Sequence, residues 1–245
     1  MEVHQHSHTE RKKWKHYFWE ILMLFLAVFC GFLAEYQLEH QIEKDREQQY
    51  IHSILEDLRD DTLVLADNIN EFNEHITRND TLIRLLNSPN IKEHGSDLYY
   101  LGRRASRSVR LAIHDATIQQ LKNSGGMRLI RNQKVSKAVI EYYNRLVFID
   151  YLQAIAFNEA DEYRKMAIDV FHPILFNDIV MADNTVIRPS GNPALLTYEP
   201  KTLIRLSGMV SYLRNTKLGL GKAETEMKDA SKKLIELIKK EYKLK

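Results

Sequence analysis

The chain has 245 residues, with 35 Lys and Arg side chains against 33 Asp and Glu side chains. This balance excludes a nucleic-acid-binding surface spread over the whole chain, so no nucleic-acid partner is expected. The low content of 9 Gly and 5 Pro favours long helices over a β-sandwich or a propeller. The one cysteine, Cys30, allows no internal disulfide.

An apolar run from Ile21 to Ala34 predicts a transmembrane helix. Extended to residues 17–36, the run covers about 20 residues, or about 30 Å of helix, which is the thickness of the hydrocarbon core. Aromatic side chains that suit the membrane interface flank it: Trp14, Tyr17 and Trp19 before the run and Tyr36 after it. We therefore predict a single-pass membrane protein whose partners include the lipid bilayer.

Three other interpretations of the run fit less well. A cleaved signal peptide needs small residues before the cleavage site, and Phe32 breaks that pattern. A lipoprotein signal needs a Leu-like residue three positions before the cysteine, where Ala27 stands, and a small one just before it, where Phe29 stands. A buried core helix does not explain the basic and aromatic flanks.

The charges beside the run predict its orientation. Four cations precede it, Arg11, Lys12, Lys13 and Lys15, whereas Lys44 and Arg46 follow it among five acidic residues. The positive-inside rule then makes residues 1–16 a cytoplasmic, His-rich basic tail. The C-terminal domain is expected outside the cytoplasm, which in a Gram-negative cell means the periplasm, with the anchor in the inner membrane.

Small residues on one face of the anchor indicate a possible contact with a second transmembrane helix. Ala27, Gly31 and Ala34 follow the i, i+4, i+7 spacing that lets two membrane helices approach closely. This face is the candidate for homo-oligomer formation.

Beyond the anchor, residues 37–50 are rich in charge and are predicted to continue the helix as a stalk. An apolar stripe with gaps of four and three residues then runs from Ile51 to Leu86 and stops at Ser88-Pro89-Asn90. A second stripe runs from Val135 to Val170, with Asn132 as a candidate N-cap and His172-Pro173 as its stop.

A third, less regular stripe predicts a helix whose first turn holds Pro200 and that continues to Leu237. Gly219 and Gly221 would kink or split it. Shorter helices are predicted at residues 97–107 and 117–123, the second closed by Gly125-Gly126, and residues 177–198 form a loop with a possible strand at 186–187. The fold class is therefore all-α: residues 51–245 form an antiparallel helical bundle with three long helices and short connecting helices.

Two segments resemble a widespread family of uncharacterised Bacteroidota membrane proteins, which have a His-rich N-terminus, one transmembrane helix and a helical domain. Residues 13–61 carry the first likeness, through Tyr50-Ile51, Leu55, Asp57-Leu58 and Asp60-Asp61. Residues 117–143 carry the second, through Thr117, Leu121, Ser124-Gly125 and Tyr142-Tyr143. The resemblance implies an inner-membrane location and assigns no activity and no catalytic residue.

Two basic features are candidate ligand sites. His4, His6 and His8 alternate, with His16 further on, a pattern that can bind Zn²⁺, Ni²⁺ or Cu²⁺ but is more typical of a solvated tail. Arg103, Arg107 and Arg110, together with Arg104, form a cluster; on a continuous helix those three share a face that could contact an anion or a partner.

Catalytic and metal signatures are weak. Glu71, Glu74 and His75, with Asp169 and His172, could form a carboxylate–histidine site, but the chain has no Glu-x-x-His pair of the di-iron type. The GLGK at 219–222 lacks the earlier glycine and the Ser or Thr of a phosphate loop, and His114-Asp115 belongs to no recognisable nucleophile arrangement. We therefore expect no enzyme, no cofactor and no metal site.

The leading hypothesis is a membrane-anchored, non-catalytic helical module that binds or scaffolds other proteins of the cell envelope. The alternative is a periplasmic ligand-sensing domain that acts through a membrane partner, because the predicted cytoplasmic tail is too short to signal by itself. A polar pocket in the bundle would favour the alternative, whereas a solid core with a patterned outer face would favour the leading hypothesis.

Overall fold

A computed structural model describes residues 14–107 and 110–244 of the chain. These residues form six α-helices and two 3-10 turns and, apart from one isolated bridge, no β-structure. The predicted all-α class is confirmed. The helices are α1 (Trp14–Leu86), α2 (Gly95–Ala105), α3 (Ala116–Asn123), α4 (Gln133–Ala167), α5 (Pro173–Asp178) and α6 (Pro200–Tyr242).

The chain divides into two compact units, the first ending at Tyr50 and the second beginning at Ile51. In the first unit, the described residues contain a stretch of α1 that is long and apolar enough to cross a membrane. Its side chains from Ile21 to Leu33 are largely exposed.

The second unit is built on α4, α6 and the part of α1 that begins at Ile51. Polar contacts fix their directions: Thr62 meets Ser231 and Asp80 meets Arg214, so α1 and α6 are antiparallel. Tyr142 of α4 bonds Asp61 of α1, and α4 runs antiparallel to α6. Consequently α4 is parallel to α1, and the shorter α2 and α3 lie on the connection that returns the chain to the starting end.

The ends of the long helices are set by the residues that the sequence indicated. Asn132 caps α4 by accepting hydrogen bonds from the amides of Lys134 and Val135. Glu199 caps α6 in the same way, and Pro200 occupies its first turn. The α6 helix is continuous through Gly219 and Gly221, because tertiary contacts along 43 residues outweigh the low helix propensity of two glycines.

Three predictions for the shorter segments need correction. The helix expected at residues 97–107 ends at Ala105, where Ser106 leaves the helical path. The strand expected at 186–187 is only an isolated bridge from Val186 to Val180, because no second strand lies beside it in the described residues. The expected loop at 177–198 overlaps the end of α5, which Pro173 initiates.

An aromatic cluster closes the end of the bundle where α1 stops. The rings of Tyr99, Phe171 and Phe176 pack together, and the Tyr99 hydroxyl bridges the amide of His172 and the carbonyl of Ala194. A Cβ on Gly102 would collide with the Phe171 ring, so a glycine is required there for α2 to pack this closely.

Candidate functional site

Polar side chains repeat every seven residues inside the bundle. The α1 helix buries Asp61, Asn68 and His75, and α6 buries Lys217, Glu224 and Ser231. Since a spacing of seven returns a helix to nearly the same face, the two series face each other along the antiparallel pair. They form three polar layers in the core, which also buries the polar side chains of Asn79, Gln153 and Ser207.

The first layer is centred on the fully buried carboxylate of Asp61. Its Oδ1 accepts hydrogen bonds from the amide of His114 at 2.7 Å and from the His114 ring at 3.2 Å. Its Oδ2 accepts one from the Tyr142 hydroxyl at 3.0 Å. Burial raises the pKa of Asp61, while these donors oppose the shift. The carboxylate thereby joins α1, α4 and the segment that precedes α3.

This layer brings together the two segments that carry the family resemblance. Tyr143, next to Tyr142, donates its hydroxyl proton to the carbonyl of His114 at 3.3 Å. Burial, followed by the charge of Asp61 and then of Asp57, raises the pKa of Tyr143. The Asp-rich run of α1 and the paired tyrosines of α4 therefore meet at one place in the bundle.

The third layer is a series of polar contacts from Glu71 through His75 to Lys217. Burial lowers the pKa of His75 to about 3, so its ring is neutral and its Nδ1 can accept from Lys217 Nζ at 3.3 Å. The other ring nitrogen faces a Glu71 carboxylate oxygen at 3.5 Å.

The ammonium group of Lys217 also holds the end of α2. It donates to the carbonyl oxygens of Ala105 at 3.1 Å and Arg107 at 2.6 Å, next to the negative end of the helix dipole. Burial lowers the pKa of Lys217 to about 8, and the charge of Arg78 contributes to the shift. This lysine is a structural cap that ties α6 to α2.

The middle layer contains a buried acid whose charge is not compensated. Neither carboxylate oxygen of Glu224 has a hydrogen-bond partner, and the Asn68 amide nitrogen also lacks one. Burial raises the pKa of Glu224 to about 7, and the nearby Asn68 side chain only partly opposes this. The protonated, neutral form of Glu224 is therefore favoured by burial up to about neutral pH.

The arginine cluster is not the surface that the sequence predicted. Because α2 ends at Ala105, Arg107 and Arg110 lie beyond it and share no helix face with Arg103. The Arg103 guanidinium stacks on Phe176, Arg107 donates to Asn184 at 2.9 Å, and Arg110 is exposed. Burial lowers the pKa of Arg107, and the charges of Arg104 and then Arg103 add to the effect. Contact of this cluster with an anion or partner stays a prediction.

The other sequence candidates have these positions. Ala27, Gly31 and Ala34 lie on the exposed surface of the apolar stretch, with no atom within 4 Å of a Cβ built on Gly31. The described residues contain no group of three or more His, Cys, Asp or Glu side chains that could hold a metal ion. His4, His6 and His8 lie outside the described residues.

The outward face of α4 carries an apolar surface that the stripe analysis did not anticipate. Val147, Phe148 and Tyr151 are exposed by 71%, 58% and 62%. They lie opposite the buried face and stand between Asn144 and Asn158, with Ala154 and Ile155 beside them. No residue on this face between the two asparagines is charged. We call residues 147, 148, 151, 154 and 155 the α4 face.

Comparisons of the chain with models of protein families, with curated proteins and with solved structures gave no match.

Proposed function

We propose that the protein is a membrane-anchored, non-catalytic module that binds another protein of the cell envelope through the α4 face. In this proposal the N-terminus is cytoplasmic, the apolar stretch of α1 crosses the bacterial inner membrane, and the bundle lies in the periplasm.

The observation that carries the proposal is the composition of the α4 face. Single exposed apolar side chains are common on proteins, but adjacent ones without an intervening charge mark interaction sites. Aromatic residues are enriched at the centres of protein interfaces, and charged residues are depleted there. Two large aromatic rings, Phe148 and Tyr151, lie at the centre of this face, with the charged Arg145 and Asp150 to either side.

Site-specific photo-crosslinking in native membranes tests the proposal. A photoreactive phenylalanine analogue replaces Tyr151 in the full chain, and the matched control carries it at Tyr212 of α6, a tyrosine of similar exposure at 66%. We expect a discrete protein adduct from position 151 and none from position 212. Equal labelling from both positions, or none from 151, would contradict the proposal.

The periplasmic location rests on charge. Four cations before the apolar stretch and two after it favour a cytoplasmic N-terminus. A reporter that is active only in the periplasm, fused after Lys245, is expected to be active, and a reporter that is active only in the cytoplasm is expected to be silent there. The reverse pattern would place the bundle in the cytoplasm.

A further inference from the structure

A segment without any acidic residue connects α3 to the start of α4. Between Asp115 and Glu141 the chain contains five cations and no Asp or Glu: Lys122, Arg128, Arg131, Lys134 and Lys137. All five side chains are exposed. A second stretch of the domain, between Glu199 and Glu224 on α6, also contains five cations and no acid, but Lys217 within it is buried, whereas every cation between Asp115 and Glu141 is exposed.

The fold gathers these cations around a groove. Gly125 adopts a left-handed conformation with φ of 67°, which turns the chain from α3 into the 3-10 turn Gly126–Leu129 and on to α4. Between the 3-10 turn and the first turns of α4 lies a surface cavity of about 530 Å³. Arg128, Arg131 and Lys137 line it together with the exposed Ile140, and Glu141, which also lines it, lies 3.9 Å from the Lys137 ammonium.

The last turns of α6 add positive charge to the same end of the bundle. Glu241 of α6 accepts a hydrogen bond from the Asn132 side chain at 2.7 Å and stands 4.0 Å from the Lys134 ammonium. Lys239, Lys240 and Lys243 surround that glutamate in the sequence. Glu141 and Glu241 are the acids that stand beside these cations, and the first turns of α1 in the bundle add Glu56, Asp57 and Asp60 at the same end.

This basic end is also the end at which the chain enters the bundle. Because α4 runs parallel to α1, the start of α4 and Ile51 are at the same end. Fourteen residues separate Ile51 from Tyr36, the end of the apolar run. These residues belong to the continuous helix α1, in which they rise about 21 Å.

We propose that this groove binds the phosphate headgroups of anionic phospholipids in the membrane that holds the anchor. Arginine and lysine side chains pair with phosphate oxygens, and the exposed Ile140 suits the glycerol and upper acyl region of a lipid. The groove lies on the outward side of α4 and adjoins the α4 face through Ile140. Docking of the groove onto the membrane would fix the orientation of the α4 face relative to the membrane plane.

The test uses the full chain in nanodiscs. With Cys30→Ser removing the native thiol, Asn123→Cys carries a fluorophore outside the groove, and lipid headgroups carry the acceptor. Energy transfer is expected to be higher in discs that contain phosphatidylglycerol than in discs of phosphatidylcholine alone, and to fall as salt rises.

Substitutions distinguish lipid binding by the groove from a general effect of the positive charge of the chain. Each cation near an anionic surface contributes about a fivefold preference, so Arg128→Gln, Arg131→Gln and Lys137→Gln together should reduce docking roughly 100-fold. A triple variant at the opposite end, with glutamine at Arg84, Lys201 and Arg205, should dock like the wild type. Arg128→Lys with Arg131→Lys keeps the charge and should retain docking even if the glutamine variant folds poorly.

Several outcomes would overturn the proposal. They are equal energy transfer in both kinds of disc, the same loss from both triple variants, or loss of docking in the charge-retaining variant. Inorganic phosphate is tested separately, to distinguish free phosphate from lipid headgroups as the ligand of the groove. If it binds the chain in phosphatidylcholine discs and phosphatidylglycerol does not raise the energy transfer, the groove takes free phosphate and the lipid assignment is wrong.

Discussion

Replacing Glu224 with glutamine should stabilise the bundle above neutral pH. The carboxyl is completely buried, has no hydrogen-bond partner, and has its pKa raised by burial from 4.5 to about 7. The folded state therefore holds this proton more tightly than the unfolded state, and stability is lost as pH rises from about 4.5 to about 7. A shift of this size corresponds to about 3 kcal/mol at most, and Glu224→Gln removes the titration while it preserves side-chain volume.

The assay is thermal unfolding of the full-length chain in mild detergent, followed by far-ultraviolet circular dichroism between pH 4.5 and 8. At pH 8 the variant should melt about 5–10 °C above the wild type, and the difference should vanish near pH 4.5. His75 acts in the opposite direction, since its lowered pKa costs stability as pH falls below 6.5, but this effect is common to both proteins and cancels. Glu226→Gln, at an exposed position two residues on, is the control. A difference that does not change with pH, or a wild type that is more stable at pH 8, would refute the reasoning.

Three further predictions follow from the packing and the anchor. Gly102→Ala should cost about 1–3 kcal/mol of stability because its methyl group meets the Phe171 ring, whereas Gly208→Ala, in open space on α6, should be neutral or stabilise by up to about 1 kcal/mol in the same melting assay. Asp61→Ala should cost about 2–4 kcal/mol because it leaves buried donors unpartnered, while Asp60→Ala, which is exposed, should change stability by less than about 0.5 kcal/mol; equal losses would contradict the Asp61 network. Leu24→Arg combined with Val28→Arg should release the chain from membranes in a carbonate wash, since each central arginine costs on the order of 3 kcal/mol, and full retention would argue against insertion of this stretch.

The long helices were predictable because their signals are local. The apolar stripes, Asn132 as a cap and Pro200 in a first turn all act within one helix, so the pattern along the chain defines them. The end of α2 was not predictable from the sequence, because it depends on tertiary contacts. Lys217, more than 100 residues away, donates hydrogen bonds to the carbonyl oxygens of Ala105 and Arg107. Nothing near the end of α2 in the sequence indicates that partner.

The buried polar residues of α6 occupy positions that the helical repeat of the sequence marks as core positions, although their side chains are not apolar. Continuing the alternation of three and four residues from Val210 and Leu213 gives positions 217, 220, 224, 227 and 231. Three of these are Lys217, Glu224 and Ser231, which interrupt the stripe if only apolar residues are counted. A core position can hold a charge when its partner comes from another helix, as for Lys217, or when its pKa shifts, as for Glu224.

The exposed α4 face was also within reach of the sequence, because Val147, Phe148 and Tyr151 fall opposite the buried stripe. The structure was needed to show that this face stays exposed in the folded bundle. A second apolar stripe on a helix can pack against another element of the same domain, and only the packed bundle shows that no described element covers this one.

Binding of an envelope protein through the α4 face is tested by affinity capture of the full chain from detergent-solubilised membranes, with quantification of the proteins that copurify. Three chains are compared: the wild type, the face variant Phe148→Ser with Tyr151→Ser, and the control variant Tyr212→Ser with Leu218→Ser, which removes exposed apolar side chains from α6. We expect a partner that the wild type and the control retain and that the face variant loses by about tenfold or more, as is typical for aromatic residues in an interface. Equal recovery of every copurifying protein with the face variant and the wild type would contradict binding through this face.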